Sequence, residues 1–270
     1  MKVNQKKVIK KIEKYGYTKI KNYISTNKIN YYRNLVNRYY LKLKSEKYLG
    51  TPNRDKKDKI LYNLQNKNYE FIKLITDKHI INLAKYFLND PYYRFINKKY
   101  PNFNLLYFNA RSSGKKLDLH IDCHLPFKGK KTNMMQFVIL LEDSNKQNGC
   151  TVVVPQSHKS GKFSNRKSKK KIALNGKAGD MLIWDSRLWH GTFENKFKIS
   201  RWAIVATFGA WWIKPMMDIP RSLPNIIYKK CNNFQKQILG FCSIPPKNEF
   251  ERINTKTGYK NLKSNVKMYF

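Results

Sequence analysis

The sequence predicts a mainly β protein with flanking helices, built on a β-sandwich or jelly roll. Residues 1 to about 100 carry apolar side chains at helical spacing. Residues 101–213 instead carry short apolar and β-branched segments separated by turn residues, the pattern of sandwiches and jelly rolls. Hydrophobic residues make up 41% of the 270 positions and aromatic residues 14%, which is enough for a buried core.

The N-terminal part is predicted to be mainly helical. Val8, Ile9 and Ile12 recur at helical spacing, and a short extended segment over 17–24 follows Gly16. The further predicted elements are helices over 29–48 and 69–89, with a turn-like stretch over 50–58 between them.

Strands are predicted over 104–110, 117–124, 134–141, 151–154, 181–184 and 201–213. The polar, strongly basic segment 159–171 interrupts them and is predicted to be a surface loop, with a lid or an anion-steering element as the functional alternative. One helix over 231–239 precedes a basic tail. We therefore expect a single domain over 1–270, in three parts: a mainly helical part (1–100), a β core (101–213), and a C-terminal helix and tail (214–270).

The charge balance is unusual, with 55 basic and 17 acidic residues and a formal net charge of +38. An AT-rich coding sequence explains many lysines, but it does not explain the scarcity of Asp and Glu. Such a chain attracts anions, so the charge favours an anionic partner such as nucleic acid, anionic lipid or a phosphorylated small molecule. The sequence carries no signal for the oligomeric state.

The cysteines and the apolar segments indicate in which compartment the protein is expected. The four cysteines form no CxxC pair, which predicts reduced thiols in a cytoplasmic protein. The N-terminus lacks the apolar segment of a secretory signal. The longest apolar stretches, 137–141 and 202–213, are too short for a membrane helix, so no membrane span is expected.

A His-X-Asp pattern stands out in the predicted β region. His120 and Asp122 are two residues apart, and on a strand two such side chains point to the same face. Alone the pattern is weak, because it occurs by chance in many proteins. His190 lies downstream, after a turn and a buried strand, and Arg201 begins the next apolar strand. Two histidines and one carboxylate are the ligand set of non-heme iron(II) oxygenases, and a guanidinium can bind a carboxylate with two hydrogen bonds.

The sequence resembles the phytanoyl-CoA dioxygenase family over roughly residues 15–245. The resemblance is tightest in four places besides Arg201: His120-Ile-Asp122, the segment 148–159 (NGCTVVVPQSHK), Gly179-Asp180 and His190-Gly-Thr192. It implies a double-stranded β-helix (jelly-roll, cupin-like) core wrapped by helices. It also implies that His120, Asp122 and His190 bind Fe(II) and that Arg201 binds the co-substrate 2-oxoglutarate.

Further residues follow from the same resemblance. Thr192 stands where the family usually has a hydroxyl, and is expected to form a second hydrogen bond to the co-substrate carboxylate. Leu106 and Val138 stand where the family packs side chains against the co-substrate. Gln136 would share the face of Val138 and reach the co-substrate or the substrate, or else be an ordinary buried amide. Because halogenating relatives replace the carboxylate ligand by Ala or Gly, Asp122 favours hydroxylation or a related oxidation.

The expected function is therefore an Fe(II)- and 2-oxoglutarate-dependent dioxygenase. It would use O₂ to hydroxylate a small, preferably anionic substrate, releasing succinate and CO₂. Two alternatives stay open at this stage. The same ligand set suits a metal-dependent hydrolase, although a hydrolase needs no dicarboxylate site. The charge suits a basic nucleic-acid-binding protein, but no nucleic-acid motif supports this, and nucleic acid is not expected as the primary partner.

Overall fold

The computed structural model describes residues 3–44, 59–92, 100–112, 114–197, 199–246 and 248–250. The turn-like stretch predicted over 50–58 and the tail beyond residue 250 lie outside the described residues. The helices within these ranges are α1 Gln5–Tyr15, α2 Thr26–Lys44, α3 Tyr69–Ile75, α4 Lys78–Leu88, α5 Ile219–Ser222, α6 Asn225–Lys230 and α7 Asn233–Ile238. The strands are β1 Tyr17–Ile20, β2 Lys59–Tyr62, β3 Phe103–Ser112, β4 Leu117–His120, β5 Met134–Leu140, β6 Thr151–Val153, β7 Ile172–Ala173, β8 Met181–Asp185, β9 His190–Thr192 and β10 Ala203–Ala210.

Helix α1 leads directly into the first strand. The side chain of Asn4 accepts a hydrogen bond from the backbone N–H of Lys7 at its start, while Val8 and Ile12 bury its apolar face. Gly16 ends the helix in the left-handed conformation, with φ of 86°, and its N–H donates to the carbonyl of Ile12. The chain can therefore reverse at once into β1, as the extended segment predicted after Gly16 requires.

The single helix predicted over 69–89 is two helices, α3 and α4. Thr76 and Asp77 interrupt it, and the Asp77 side chain accepts a hydrogen bond from the backbone N–H of His79 as the N-cap of α4. A capping Asp inside an apolar helical pattern is a start signal that periodicity alone does not register. The helix predicted over 231–239 is confirmed as α7, which begins with a capping box between Asn232 and Gln235.

The strands form two sheets. The larger has the order β1-β8-β5-β10-β3-β2, and the smaller has the order β4-β9-β6-β7. The pairs β1–β8, β5–β8, β6–β9 and β4–β9 are antiparallel. Two mainly antiparallel sheets with flanking helices confirm the predicted jelly-roll class.

The chain divides into two compact units, residues 1–62 with 109–205 and residues 63–108 with 206–270. The core of the first unit is made of apolar residues from β5, β6, β8 and neighbouring segments, namely Val138, Leu140, Val153, Leu174, Leu182, Trp184, Leu188 and Ala203. The core of the second unit includes edge-to-face ring pairs, Phe71 with Phe108 and Phe103 with Phe208.

Among the described residues, no helix is both long enough and apolar enough to span a membrane.

Candidate metal centre

Three side chains of the first unit converge beside the end of β4. His120, Asp122 and His190 each offer a ligand atom, and these atoms all lie within 4.8 Å of one another. Nε2 of His120 is 3.5 Å from Oδ1 of Asp122, and Nε2 of His190 is 3.2 Å from Oδ2 of the same carboxylate. The three residues singled out in the sequence are therefore brought together in space.

The route by which Asp122 reaches this cluster differs from the sequence prediction. Strand β4 ends at His120, so His120 and Asp122 do not share a strand face. The chain bends instead, and the backbone N–H of Asp122 donates to the carbonyl of Ser186 at 2.9 Å. A contact with the segment between β8 and β9 thus replaces strand alternation in aiming the carboxylate.

Both imidazole rings are oriented by backbone carbonyls. Nδ1 of His120 is 2.9 Å from the carbonyl of Asp118, and Nδ1 of His190 is 3.0 Å from the carbonyl of Leu188. Because a carbonyl only accepts hydrogen bonds, each Nδ1 must carry the proton in the neutral ring. Each Nε2 then faces the cluster, where it donates to Asp122 while the ring is protonated and offers a lone pair to a metal once the ring is neutral, as in proteins whose histidines bind a metal.

The electrostatics of the cluster match a cation site. Burial raises the pKa of Asp122, but the charge of His190 and hydrogen bonds from both histidines outweigh it and hold the pKa well below its usual range. Burial lowers the pKa of His190, but the Asp122 carboxylate and the carbonyl of Leu188 raise it above its ordinary value. Two imidazole nitrogens and an ionised carboxylate are the donor set of a facial iron(II) site, so the residues present fit that metal.

Gln136 contacts the metal-site carboxylate directly. It lies on β5, and its Nε2 donates to Oδ2 of Asp122 at 2.9 Å. The sequence predicted that Gln136 reaches the co-substrate or the substrate, or is an ordinary buried amide, and it did not indicate the contact with Asp122. The contact fixes one carboxylate oxygen and leaves Oδ1 turned toward His120.

Arg201 is buried just before β10. Its backbone N–H donates to Oγ of Ser112 at 2.7 Å, and its Nη1 donates to Oγ of Ser144 at 3.4 Å. Burial raises the pKa of the Cys150 thiol, and the nearby Arg201 charge opposes that rise. Cys150 precedes β6, in which Thr151 pairs with Thr192 and Val153 with His190. The guanidinium therefore lies close to Ser144 and Cys150, and Cys150 directly precedes the strand that pairs with β9.

The other site residues predicted from the sequence lie in several environments. Val138 belongs to the core cluster that includes Val153 and Trp184. The hydroxyl of Thr192 accepts a hydrogen bond from the backbone N–H of Leu117 at 3.1 Å. Leu106 is buried on β3, in the second unit. Their roles toward a co-substrate stay predictions.

The segment between β8 and β9 holds a buried ion pair that the sequence did not suggest. Nη2 of Arg187 is 2.7 Å from Oδ2 of Asp185, and both side chains are 4% exposed. Nη1 of Arg187 also donates to the carbonyl of Gly129 at 3.0 Å, and its guanidinium covers the Phe127 ring. Arg187 thereby ties the segment that carries Asp122 to the end of β8.

Trp184 is a second residue that the sequence did not single out for the site. Its ring centroid is 5.2 Å from that of His190, and it pairs across the sheet with Gln136. Its buried Nε1 has no hydrogen-bond partner within the described part of the chain. A buried donor without a partner is costly, so Nε1 can serve a molecule bound beside His190.

Gly191, directly after the second histidine, lies where there is no room for a side chain. A Cβ placed there would collide with the backbone carbonyl of Leu117 on β4 and lie 3.0 Å from that of Asp118. The absence of a side chain lets β9 approach β4 closely enough to bring His190 next to His120, with ring centroids 4.2 Å apart.

The jelly-roll sheets and the two-histidine, one-carboxylate cluster define a class of metal-dependent oxygenase folds. Residues 12–203 match the family "Phytanoyl-CoA dioxygenase (PhyH)", and the chain belongs to this family. The protein is therefore an Fe(II)- and 2-oxoglutarate-dependent oxygenase, and its co-substrates are 2-oxoglutarate and O₂.

Solved structures confirm the fold at low sequence identity. HygX from Streptomyces hygroscopicus, with nickel and 2-oxoglutarate bound, is 15% identical with a TM-score of 0.60, over 78% of this chain and 89% of HygX. The non-heme α-ketoglutarate-dependent epimerase SnoN from nogalamycin biosynthesis is 16% identical with a TM-score of 0.57, over 76% of this chain and 82% of SnoN. EctD from S. alaskensis, in its apo form, is 15% identical with a TM-score of 0.61, over 78% of each chain.

Proposed function

We propose that His120, Asp122 and His190 bind Fe(II), and that the protein uses it to hydroxylate a small, anionic molecule. The observation that carries the assignment is the convergence of the two Nε2 atoms on one carboxylate, with each Nδ1 bonded to a carbonyl. Three ligands on one side of a metal leave its other positions open for co-substrate and O₂.

The protein supplies binding, orientation and charge. Gln136 keeps the Asp122 carboxylate in place, and Arg187 holds the segment from which Asp122 projects. Arg201 would bind the distal carboxylate of 2-oxoglutarate, with Thr192 as a second donor and with Val138 and Leu106 packed against the co-substrate. Bound iron supplies the O₂ chemistry that converts 2-oxoglutarate to succinate and CO₂ and oxidises the substrate.

A small anionic substrate is supported by two observations. HygX has been crystallised with hygromycin B and SnoN with nogalamycin RO, both small molecules. The net charge of +38 sets up a positive potential that concentrates anions. A substrate screen read out by succinate formation tests this proposal: turnover should rise with anionic candidates and fall as salt is added. Turnover that is equal for neutral and anionic candidates would contradict it.

We also propose that the chain is a single oxygenase domain in the cytoplasm. The family match over 12–203 includes residues of both compact units, which supports one domain. All four cysteines are buried and unpaired as disulfides, which a reducing compartment favours.

Anaerobic titration tests the residue assignment. Wild-type protein should bind one Fe(II) and then 2-oxoglutarate. Arg201→Met should leave iron binding intact and weaken 2-oxoglutarate binding about a hundredfold, because charge-assisted hydrogen bonds are lost. Arg38→Met, which removes an exposed arginine on α2, is the matched control. Equal 2-oxoglutarate affinity in the two variants would remove Arg201 from the co-substrate site.

A further inference from the structure

Two basic loops lie beside the metal centre, and we call them together the basic rim: residues 124–131 and residues 159–171. They pack against each other, since a Cβ on Gly161 would lie 2.8 Å from Cγ of Lys128. All of these residues lie in the first unit.

The second loop of the basic rim is anchored to residues that directly precede the two metal-site histidines. Oγ of Ser164 donates to the carbonyl of Leu119 at 2.6 Å, next to His120. Nε1 of Trp189 donates to the carbonyl of Lys162 at 3.1 Å, next to His190. The rim is therefore fixed in position beside the cluster.

The rim is strongly cationic. Its first loop carries three lysines and its second loop seven lysines or arginines, with no Asp or Glu in either. The side chains are all exposed: Lys128, Lys130, Lys131, Lys159, Lys162, Arg166, Lys167, Lys169, Lys170 and Lys171. Clustered positive charge of this kind attracts a surface of phosphate or carboxylate groups.

Large apolar side chains project from the same rim. Leu125 is 68% exposed and Phe163 is 64% exposed. Single exposed apolar residues are ordinary, but here one stands on each of two adjoining basic loops. Lysines around exposed Leu and Phe are the composition of surfaces that lie in a membrane interface.

We propose that the basic rim docks on a membrane surface that contains anionic lipid. The lysines contact the headgroups, while Leu125 and Phe163 enter the interface between headgroups and acyl chains. The metal centre then lies close to the membrane surface, because the rim is anchored beside it. Nucleic acid fits less well, because Leu125 cannot stack on a base and the rim carries flexible lysines with Arg166 as its one arginine.

Vesicle flotation tests the electrostatic part of the proposal. Wild-type protein should float with phosphatidylcholine vesicles that contain about 30% phosphatidylserine and stay behind with phosphatidylcholine alone. The variant Lys169→Gln/Lys170→Gln/Lys171→Gln should bind the anionic vesicles on the order of a hundredfold more weakly. The matched control removes the same charge from exposed lysines of α4 and α6, as Lys78→Gln/Lys85→Gln/Lys229→Gln, and should stay within about threefold of wild type. Equal weakening in both variants would overturn the proposal.

A dye on the rim tests insertion. The four native cysteines are buried, so Leu125→Cys can be labelled selectively with an environment-sensitive fluorophore. Its emission should rise and shift to the blue with anionic vesicles, while the same dye on Lys78→Cys should not respond. An unresponsive Leu125→Cys dye would overturn the proposal.

Random-sequence DNA is the competing partner in the same assays. Binding to DNA that is lost in the Lys169–Lys171 variant, without binding to anionic vesicles, would identify a nucleic-acid surface and overturn the membrane proposal. These assays need neither iron nor 2-oxoglutarate, so their outcome is independent of the proposed enzymatic function.

Discussion

The carboxylate of Asp122 is contacted by three other side chains at the metal centre. Oδ1 faces His120, while Oδ2 faces His190 and accepts a hydrogen bond from Gln136. A carboxylate fixed at one oxygen presents the other in a defined direction.

Gln136→Leu removes the hydrogen bond to Asp122 while keeping a similar volume. We expect Fe(II) affinity to fall about tenfold or more, since partners that orient a metal ligand typically contribute that much. Anaerobic calorimetric titration measures it. The control is Gln147→Leu, at an exposed glutamine outside the site. Unchanged iron affinity in Gln136→Leu would show that the hydrogen bond does not organise the centre.

The cysteines should be inert in the native protein. Burial raises the pKa of Cys231 and Cys242 to about 11, and burial together with the nearby Asp185 carboxylate raises that of Cys123 to about 11. Only about a thousandth of each thiol is ionised at pH 8. Ellman's reagent should therefore find no fast thiol in native protein and four in guanidinium.

The same pKa values predict a pH dependence of stability. Because the folded pKa exceeds the unfolded value of about 8.5, these thiols favour the folded state below that pH. Their contribution is lost as pH rises toward 11. A fast reaction of thiols in native protein would contradict their burial. So would a cysteine contribution to the free energy of unfolding that grows between about pH 8.5 and pH 11.

At the scale of single residues, the sequence could predict the three candidate ligands, which the structure brings together, but not the contacts that support them. The candidate triad is recognised from residue types and their spacing along the chain, so errors in the predicted ends of strands do not affect it. The contact of Asp122 with the Ser186 carbonyl and the burial of the Trp184 Nε1 depend on tertiary packing, which no local pattern encodes.

Among the structural elements, the segment from β4 to β5 is held in part by a buried ion pair. Arg187 joins Asp185, at the end of β8, to the carbonyl of Gly129. Thr132 also donates to Oδ1 of Asp185, at 2.9 Å. The loop that carries Asp122 is thus held at a second place besides Ser186.

Arg187→Met should destabilise the protein by about 3–5 kcal/mol, because it leaves the buried Asp185 charge unpaired. Urea unfolding measures the loss. The exposed pair Arg221–Asp218, 60% and 52% exposed, gives the control: Arg221→Met should cost less than about 1 kcal/mol. Adding Asp185→Asn to Arg187→Met should recover part of the loss. A cost for Arg187→Met as small as that for Arg221→Met would contradict this role.

Gly191→Ala tests the close approach of β9 to β4. The added Cβ meets the carbonyl of Leu117, so the strands must separate and His190 must move away from His120. We expect Fe(II) affinity to fall about tenfold or more, measured by the same titration. If Gly191→Ala binds iron with wild-type affinity, β9 and β4 can accommodate a methyl group at this position without displacing His190.

At the scale of elements, bounds were harder to predict than types. The strand predicted over 117–124 ends at His120, and that predicted over 201–213 covers Ala203–Ala210. Strand β7 has two residues and follows a lysine-rich loop, and the apolar run over 172–174 is too short to predict a strand. Strands of two to four residues form because neighbouring strands pair with them, a cause that lies outside their own sequence.

For the whole molecule, the fold class and the family follow from the sequence, because the strand spacing over 101–213 and the candidate ligand pattern both lie in or overlap the family match over 12–203. The meaning of the charge does not follow in the same way. The net charge of +38 counts charges over the whole chain and does not say where they lie. The basic rim exists because the fold brings residues 124–131 next to residues 159–171. Long-range attraction of anions by the whole charge should weaken with added salt.

The most direct test of the whole account is the conversion of 2-oxoglutarate to succinate by purified protein with Fe(II) and O₂. Wild-type protein should form succinate, with or without added substrate, and His120→Ala should form none while unfolding in urea as a cooperative, folded protein. His124→Ala, at an exposed histidine four residues away, is the control and should keep its activity. Full activity in His120→Ala would contradict the assignment of the metal centre.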